Sequence, residues 1–156
     1  MGKNREVLDA LFEKRKIDLR RSSLFDTSPE PMPQGFDFVK VEGMMLGLAI
    51  GDALGNTSEG MLPSGRQGRF GEIRDFLPNH KAFGKHVGLP SDDTQLAFWT
   101  LEQMIEDKGF NPNHVARRFC RDRIFGIGRT VRDFILNYNS GRPWYECGPK
   151  SAGNGA

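Results

Sequence analysis

Glycine recurs at every fourth position through VKVEGMMLGLAIGDALG at Val39–Gly55, where residues 43, 47, 51 and 55 are all glycine. That spacing lines the four along one face of an α-helix. A glycine in a helix interior costs about 0.5–1 kcal/mol relative to alanine, so a stripe of four calls for a compensating gain in packing. The bare face forms a groove that another backbone can approach closely. Glu42, Asp52 and the shortness of the apolar run argue against a lipid-embedded stripe. The segment is therefore expected to be a buried central helix.

The chain has 156 residues, 37% hydrophobic and 27% charged, which suits one soluble domain with a modest core. Lys and Arg number 22 against 20 Asp and Glu, a net charge of +2. No strongly basic field exists to attract phosphates, so no nucleic-acid partner is expected. No apolar run reaches the roughly 20 residues that span a bilayer, and the charged N-terminus has no apolar core of a signal peptide. No membrane partner is expected. Cys120 and Cys147 are too few for a disulfide framework or a four-thiolate zinc site, which fits a reduced, cytoplasmic setting.

Residues 1–35 read as an N-terminal arm. Val7, Leu8, Leu11 and Phe12 fall at helical spacing, predicting a short amphipathic helix near residues 4–16. Alone in water such a helix is marginal until something covers its apolar face. The stretch Ile17–Gln34, with Pro29, Pro31 and Pro33, is expected to be an extended linker. The body covers residues 36–156. Residues 56–90 read as a long glycine-rich loop. A helix from Asp93 to about Lys108 follows, capped by Ser91 or Asp92 and stopped by Gly109. Asn111-Pro112 opens another, to about Phe125, and a last runs over about Thr130–Asn137. Little of the chain alternates with period two, so the fold class is mostly α.

Pro90-Ser91-Asp92-Asp93-Thr94 is the sharpest local feature. Two adjacent carboxylates at a helix start suit an acidic N-cap, since free N–H groups and the macrodipole favour negative charge there. They equally suit a hard cation: a hydroxyl and two carboxylates offer only oxygen, and a metal would relieve their repulsion. Asp52, inside an apolar helix, needs a partner or a functional reason. Glu59 reads by default as a solvated loop charge. Gly126-Ile127-Gly128 lacks the preceding strand of a dinucleotide fingerprint. The end of the chain, from Gly148, is a Gly/Ser/Asn loop whose amides suit a phosphate or ribose. His80 and His86, near Lys81 and Lys85, read as a solvated basic loop, and His114 as a surface or capping residue. Trp144 and Tyr145 are weak candidates for stacking on an adenine.

In this order the pieces resemble the ADP-ribosylglycohydrolase family (the dinitrogenase-reductase-activating and ADP-ribosyl-acceptor hydrolases). The residues that carry the likeness are GMMLGLAIGDALG at 43–55, Glu59, PSDDTQLA at 90–97, GIG at 126–128 and SAGNGA at 151–156. The resemblance implies an all-α fold, with residues 36–156 forming the N-terminal half of an orthogonal multi-helix domain. It implies Mg²⁺ or Mn²⁺ as cofactor, two ions in the complete protein, with Ser91, Asp92 and Asp93 as metal ligands. Glu59 matches the acidic residue beside the metals, so Glu59, Asp92 and Asp93 form the implied catalytic set. Ser151, Gly153, Asn154 and Gly155 match the loop that holds ADP-ribose, and Gly126 and Gly128 match glycines near its phosphates. The implied reaction is hydrolysis of the bond joining ADP-ribose to a protein side chain, most often arginine, with an ADP-ribosylated protein as substrate.

Family members are longer, and their further part carries an Asp-x-Asp-Thr motif with the remaining metal ligands. No such motif occurs here. The 156 residues alone are expected to be inactive, and a second chain carrying that half is one implied partner. A rival reading is an immunity protein that covers an ADP-ribosyltransferase toxin with its arm, since residues 1–21 hold seven Lys/Arg against four Asp/Glu. An inactive, crystallin-like fragment is the third. Such a structural descendant has no use for the acidic groups Asp92, Asp93 and Glu59.

Overall fold

The computed structural model describes residues 2–27 and 30–151. It is 57% helical, as expected of a mostly α chain. The helices are α1 (Gly2–Glu13), α2 (Val39–Gly55), α3 (Pro63–Phe70), α4 (Asp92–Asp107), α5 (Pro112–Phe119) and α6 (Arg129–Asn139). The sheet is a pair of two-residue antiparallel strands, β1 (Pro78–Asn79) and β2 (Lys85–His86), with Pro78 opposite His86 and Asn79 opposite Lys85. Among the described residues no helix is long and apolar enough to cross a membrane. The chain divides into two compact units, one of residues 38–98 and 123–127, the other of 1–37, 99–122 and 128–156.

The first unit holds α2, α3, the hairpin and the start of α4. α2 forms where the glycine stripe predicts a helix, but it is not buried. Val39, Met44, Leu46, Leu48 and Ile50 are exposed, and Ala53 is its one buried residue. A Cβ added at Gly43, Gly47, Gly51 or Gly55 would meet nothing within 4 Å among the described residues, so none of their backbone lies in the groove. Neighbouring groups engage α2 at its last turn, through Asp52 and the following Asn56. The expected loop over 56–90 is also more ordered than its glycines imply. Pro63 takes the first helical position of α3, where its missing N–H is no loss, and Gly71 ends the helix at φ +63°. The buried residues of this unit are chiefly polar: Ser58, Asn79, Ser91 and Thr94 accompany Ala53 and Ile124. Such an interior is stable only if those groups are hydrogen-bonded.

In the second unit α1 ends near the expected place, and its apolar face is covered at Leu11 and Phe12 while Val7 stays exposed. Leu11 is buried, Phe12 meets Phe25 edge-on at 5.3 Å, and Asn4 Nδ2 donates to the Phe110 carbonyl at 2.7 Å. The expected extended linker contains a 3-10 turn at Ser23–Asp26, tied down by Arg21, which reaches Asp9 at 2.7 Å and Asp26 at 2.9 Å. Asn111 caps α5 by accepting the Asn113 and His114 amides. That helix stops at Phe119, short of the expected Phe125, because the Cys120 and Arg121 amides bond three residues back and tighten the last turn. His114 is no free surface group; its Nδ1 lies 2.9 Å from Asp107. After α6, Cys147 is fully buried with Sγ 3.1 Å from the Pro143 carbonyl, and burial pushes its thiol above its ordinary value. Trp144 and Tyr145 pack edge to face at 5.4 Å.

Because Leu11 carries α1 onto its unit, Leu11→Ala is expected to cost about 2–5 kcal/mol. Urea unfolding followed by circular dichroism measures this; a midpoint unchanged from wild type would show that α1 contributes nothing to the unit.

Candidate functional site

A single carboxylate organises the unit of residues 38–98 and 123–127. Asp52 leaves the last turn of α2 and meets the start of α4. Its Oδ2 accepts the Ser91 amide at 2.6 Å and the Thr94 hydroxyl at 2.6 Å, with the Thr94 amide at 3.4 Å. Its Oδ1 accepts the Ser91 hydroxyl at 2.7 Å and Asn56 Nδ2 at 3.1 Å. The start of α4 thus receives a cap from α2, through the Asp52 carboxylate. Burial works to raise the Asp52 carboxyl, but the donors Thr94, Ser91 and Asn56 outweigh it and hold the group below its ordinary value. Asn56 Nδ2 also donates to the Leu89 carbonyl at 2.7 Å, tying the loop after α2 to the segment before α4.

Two cavities flank this anchor and share a wall of Asn56, Glu59 and Gly60. The first, about 410 Å³, is lined by Asp52, Glu59 and Asp93 with Arg66 as its one cation. Its titratable oxygen donors are all carboxylates. The second, about 460 Å³, is lined by Thr57, Asn79, His80, Lys81, Ser91 and Gly126 beside the shared wall. Glu59 thus stands on both, exposed, and its carboxylate makes no hydrogen bond or ion pair among the described residues. His80 and Lys81, expected to be a solvated stretch of loop, are exposed but line a cavity.

The sequence-derived candidates fall into three groups. Glu59, Ser91, Asp92, Asp93 and Gly126 come together in this unit, although Asp93 lines the first cavity and Ser91 the second. Gly128 and Ser151 belong to the other unit, where the Thr130 hydroxyl lies 3.4 Å from Ser151 Oγ. Gly153, Asn154 and Gly155 lie outside the described residues. Gly126 sits at φ +73°, and a Cβ there would come within 3.0 Å of Ser91 Cβ and 3.3 Å of Asp92 Oδ1. Only glycine lets the 123–127 segment run this close to the start of α4. The residue that motif reading did not place in the site is Asp52. Its signal was present all the same, as a lone carboxylate in an apolar helix.

Oxygen donors of this kind fit a hard divalent cation in chemistry. Their number falls short: among the described residues no three His, Cys, Asp or Glu side chains converge closely enough to hold a metal ion.

Comparison with known proteins bears on the same residues. The family model described as ADP-ribosylglycohydrolase matches residues 35–156, a stretch that includes every group of both cavities. The chain is 34% identical over 114 residues to an uncharacterized protein of Archaeoglobus fulgidus, an alignment covering 70% of this chain and 37% of that protein. It is 29% identical over 143 residues to the ADP-ribosylarginine hydrolase Tri1 of Serratia proteamaculans, covering 84% of this chain and 37% of that protein. The chain thus spans a little over a third of the length of these relatives.

Asp52→Asn is expected to cost about 1–3 kcal/mol, because an amide puts an NH2 donor where one of the two accepting oxygens stands, and the donors on that side, whether Ser91 and Thr94 or Ser91 and Asn56, lose their acceptor. Since the folded carboxyl titrates below its ordinary 3.8, its contribution is complete above about pH 4 and is lost as pH falls through the folded value. Urea midpoints measured from pH 7 to pH 2 should fall more steeply for wild type than for Asp52→Asn; parallel curves would remove Asp52 from its anchoring role. Gly126→Ala adds both a strained φ and a close contact, and is expected to lower the melting temperature by several degrees, or about 1–3 kcal/mol.

Proposed function

The chain belongs to the ADP-ribosylglycohydrolase family, and from that premise we propose that the protein hydrolyses the glycosidic bond between ADP-ribose and a modified protein side chain, with arginine as the acceptor. The observation that carries the reading is the cavity where Glu59 and Asp93 face one space beside the Asp52-capped start of α4. The Serratia relative is named an ADP-ribosylarginine hydrolase, which supports arginine as acceptor. A guanidinium acceptor is cationic, and a cavity lined by three carboxylates against one arginine favours a cation electrostatically.

Ser91, Asp92 and Asp93 are the residues that would hold Mg²⁺ or Mn²⁺, together with ligands from outside these 156 residues. When bound, such an ion polarises water and orients ribose hydroxyls. The chain's own groups do the rest. Asp52 fixes Ser91 and Thr94, and through them the direction in which the Asp92-Asp93 pair leaves the helix. Glu59, its carboxylate free of partners among the described residues, is placed to take a proton from water as the water oxygen adds to the anomeric carbon. The carbon–nitrogen bond breaks, and the proton passes to the departing guanidino nitrogen. The products are free ADP-ribose and unmodified arginine.

In the complete protein, Glu59→Gln is expected to lower kcat for release of ADP-ribose from ADP-ribosyl-arginine by about 10²–10⁴-fold. Asp93→Asn is expected to raise the Mg²⁺ concentration needed for half-maximal rate. Both side chains are exposed, so melting temperatures should stay near wild type. Undiminished turnover in both variants would sink the assignment.

A further inference from the structure

The end of α5 carries a cluster of arginines for which the hydrolysis above has no use. Arg117, Arg118 and Arg121 line a small cavity of about 240 Å³ with Gln103 and Glu106 of α4 and His114 of α5. Residues 114, 117, 118 and 121 follow helical spacing, which places the four basic side chains along one side of the helix. Arg121 lies past the last residue of α5. The Cys120 and Arg121 amides bond to the Arg117 and Arg118 carbonyls, however, so the turning continues and keeps Arg121 beside the others. We propose that this cavity receives the phosphate of a phosphorylated serine or threonine side chain on a partner protein. All six residues belong to the unit of residues 1–37, 99–122 and 128–156, whereas Glu59 and Asp93 belong to the other, so the site stands independently of the hydrolase reading.

Charge and size both point to a single phosphate group. Three arginines against Glu106, with His114 neutral, give the lining a formal charge of +2. A phosphoserine carries about −1.5 to −2 at pH 7. The cavity is smaller than the roughly 300–1,000 Å³ that encloses a whole small-molecule ligand. It has room for one anionic group while the molecule bearing that group stays outside. A nucleic acid fits less well. Glu102, Glu106, Asp107 and Asp122 flank the arginines, and a polyanion laid across them would meet these carboxylates too.

Arg118 is the fixed member of the cluster. Its Nη2 donates to Glu102, its guanidinium lies 5.9 Å from the centre of the Trp99 ring, and its side chain is only 14% exposed. Its Nε is buried and has no acceptor among the described residues, so an arginine already held in place keeps an unused donor. Arg117 is exposed and has no ion pair among the described residues. Arg121 pairs with its neighbour Asp122 at 3.2 Å, but both side chains are exposed, and an incoming anion can displace such a pair. Planar guanidiniums hold phosphate through two parallel N–H donors, so arginines suit this task better than lysines.

The test is calorimetric titration of the complete protein with the capped peptide Gly-phosphoserine-Gly and with its unphosphorylated counterpart. Only the phosphorylated peptide is expected to bind, and inorganic phosphate should compete with it. Arg117→Ala and Arg121→Ala are each expected to weaken binding by about tenfold. Arg117→Lys keeps the charge but loses the paired donors, and should recover only part of the affinity. Arg132→Ala, at an exposed arginine of α6 outside the cavity lining, should change nothing. Arg117 and Arg121 are exposed, so an unchanged melting temperature shows that each variant is folded. Equal binding of the two peptides, absence of binding at about 10 mM, or failure of inorganic phosphate to compete overturns the site. A loss as large in Arg132→Ala means diffuse charge attraction, and overturns it as well. A single-stranded oligonucleotide that binds through Arg117 more tightly than the phosphopeptide also overturns it, and assigns the cluster to nucleic acid.

Discussion

Everything that brings the acidic groups together depends on one carboxylate accepting five hydrogen bonds. Asp52 takes two amides and two hydroxyls from the start of α4 and one side-chain amide from Asn56. Charge-assisted bonds of this kind are roughly twice as strong as neutral ones, and they outweigh the cost of partly burying the charge. A helix start has four unpaired amides that need acceptors, and α2 supplies an acceptor about forty residues away in sequence. Because the buried residues around this anchor are mostly polar, the unit is held by satisfied hydrogen bonds more than by apolar area.

The helices were largely legible in the sequence, because their signals are local. Asn111-Pro112 marks the start of α5 through a side chain that caps its neighbours' amides, and this is what the structure contains. The fate of α2 was not legible. Its glycine spacing says that a close partner would fit, and nothing in the spacing says whether these 156 residues supply one; among the described residues nothing comes within 4 Å of a Cβ added to the stripe. α3 was hidden because Gly65 and Gly68 lower helix propensity, while the decisive signals were the proline that opens it and the glycine that closes it.

The site divides in the same way. Glu59 and Asp93 were named from motifs, and the structure gives them a common cavity. Asp52 was recognised only as a carboxylate in need of a partner, since the partner's identity is a tertiary fact. His80 and Lys81 were read as solvated because charged loop residues usually are, and they are indeed exposed. What sets them on a cavity wall is buried Asn79, whose side chain orders the turn. An Asn two residues before a lysine is too common a pattern to announce that.

The buried thiol after α6 gives the protein an internal clock. Cys147 has no exposed surface and sits against the Arg142 and Pro143 carbonyls, while Asn137 Nδ2 donates to its own carbonyl at 3.0 Å. An alkylating reagent therefore reaches it only when the 142–147 segment opens away from α6, which also removes the burial that holds its pKa up in the closed state. The rate at which Cys147 becomes modified in native buffer thus reports how often that segment opens. Half-buried Cys120 in the same unit supplies the faster reference on the same molecule.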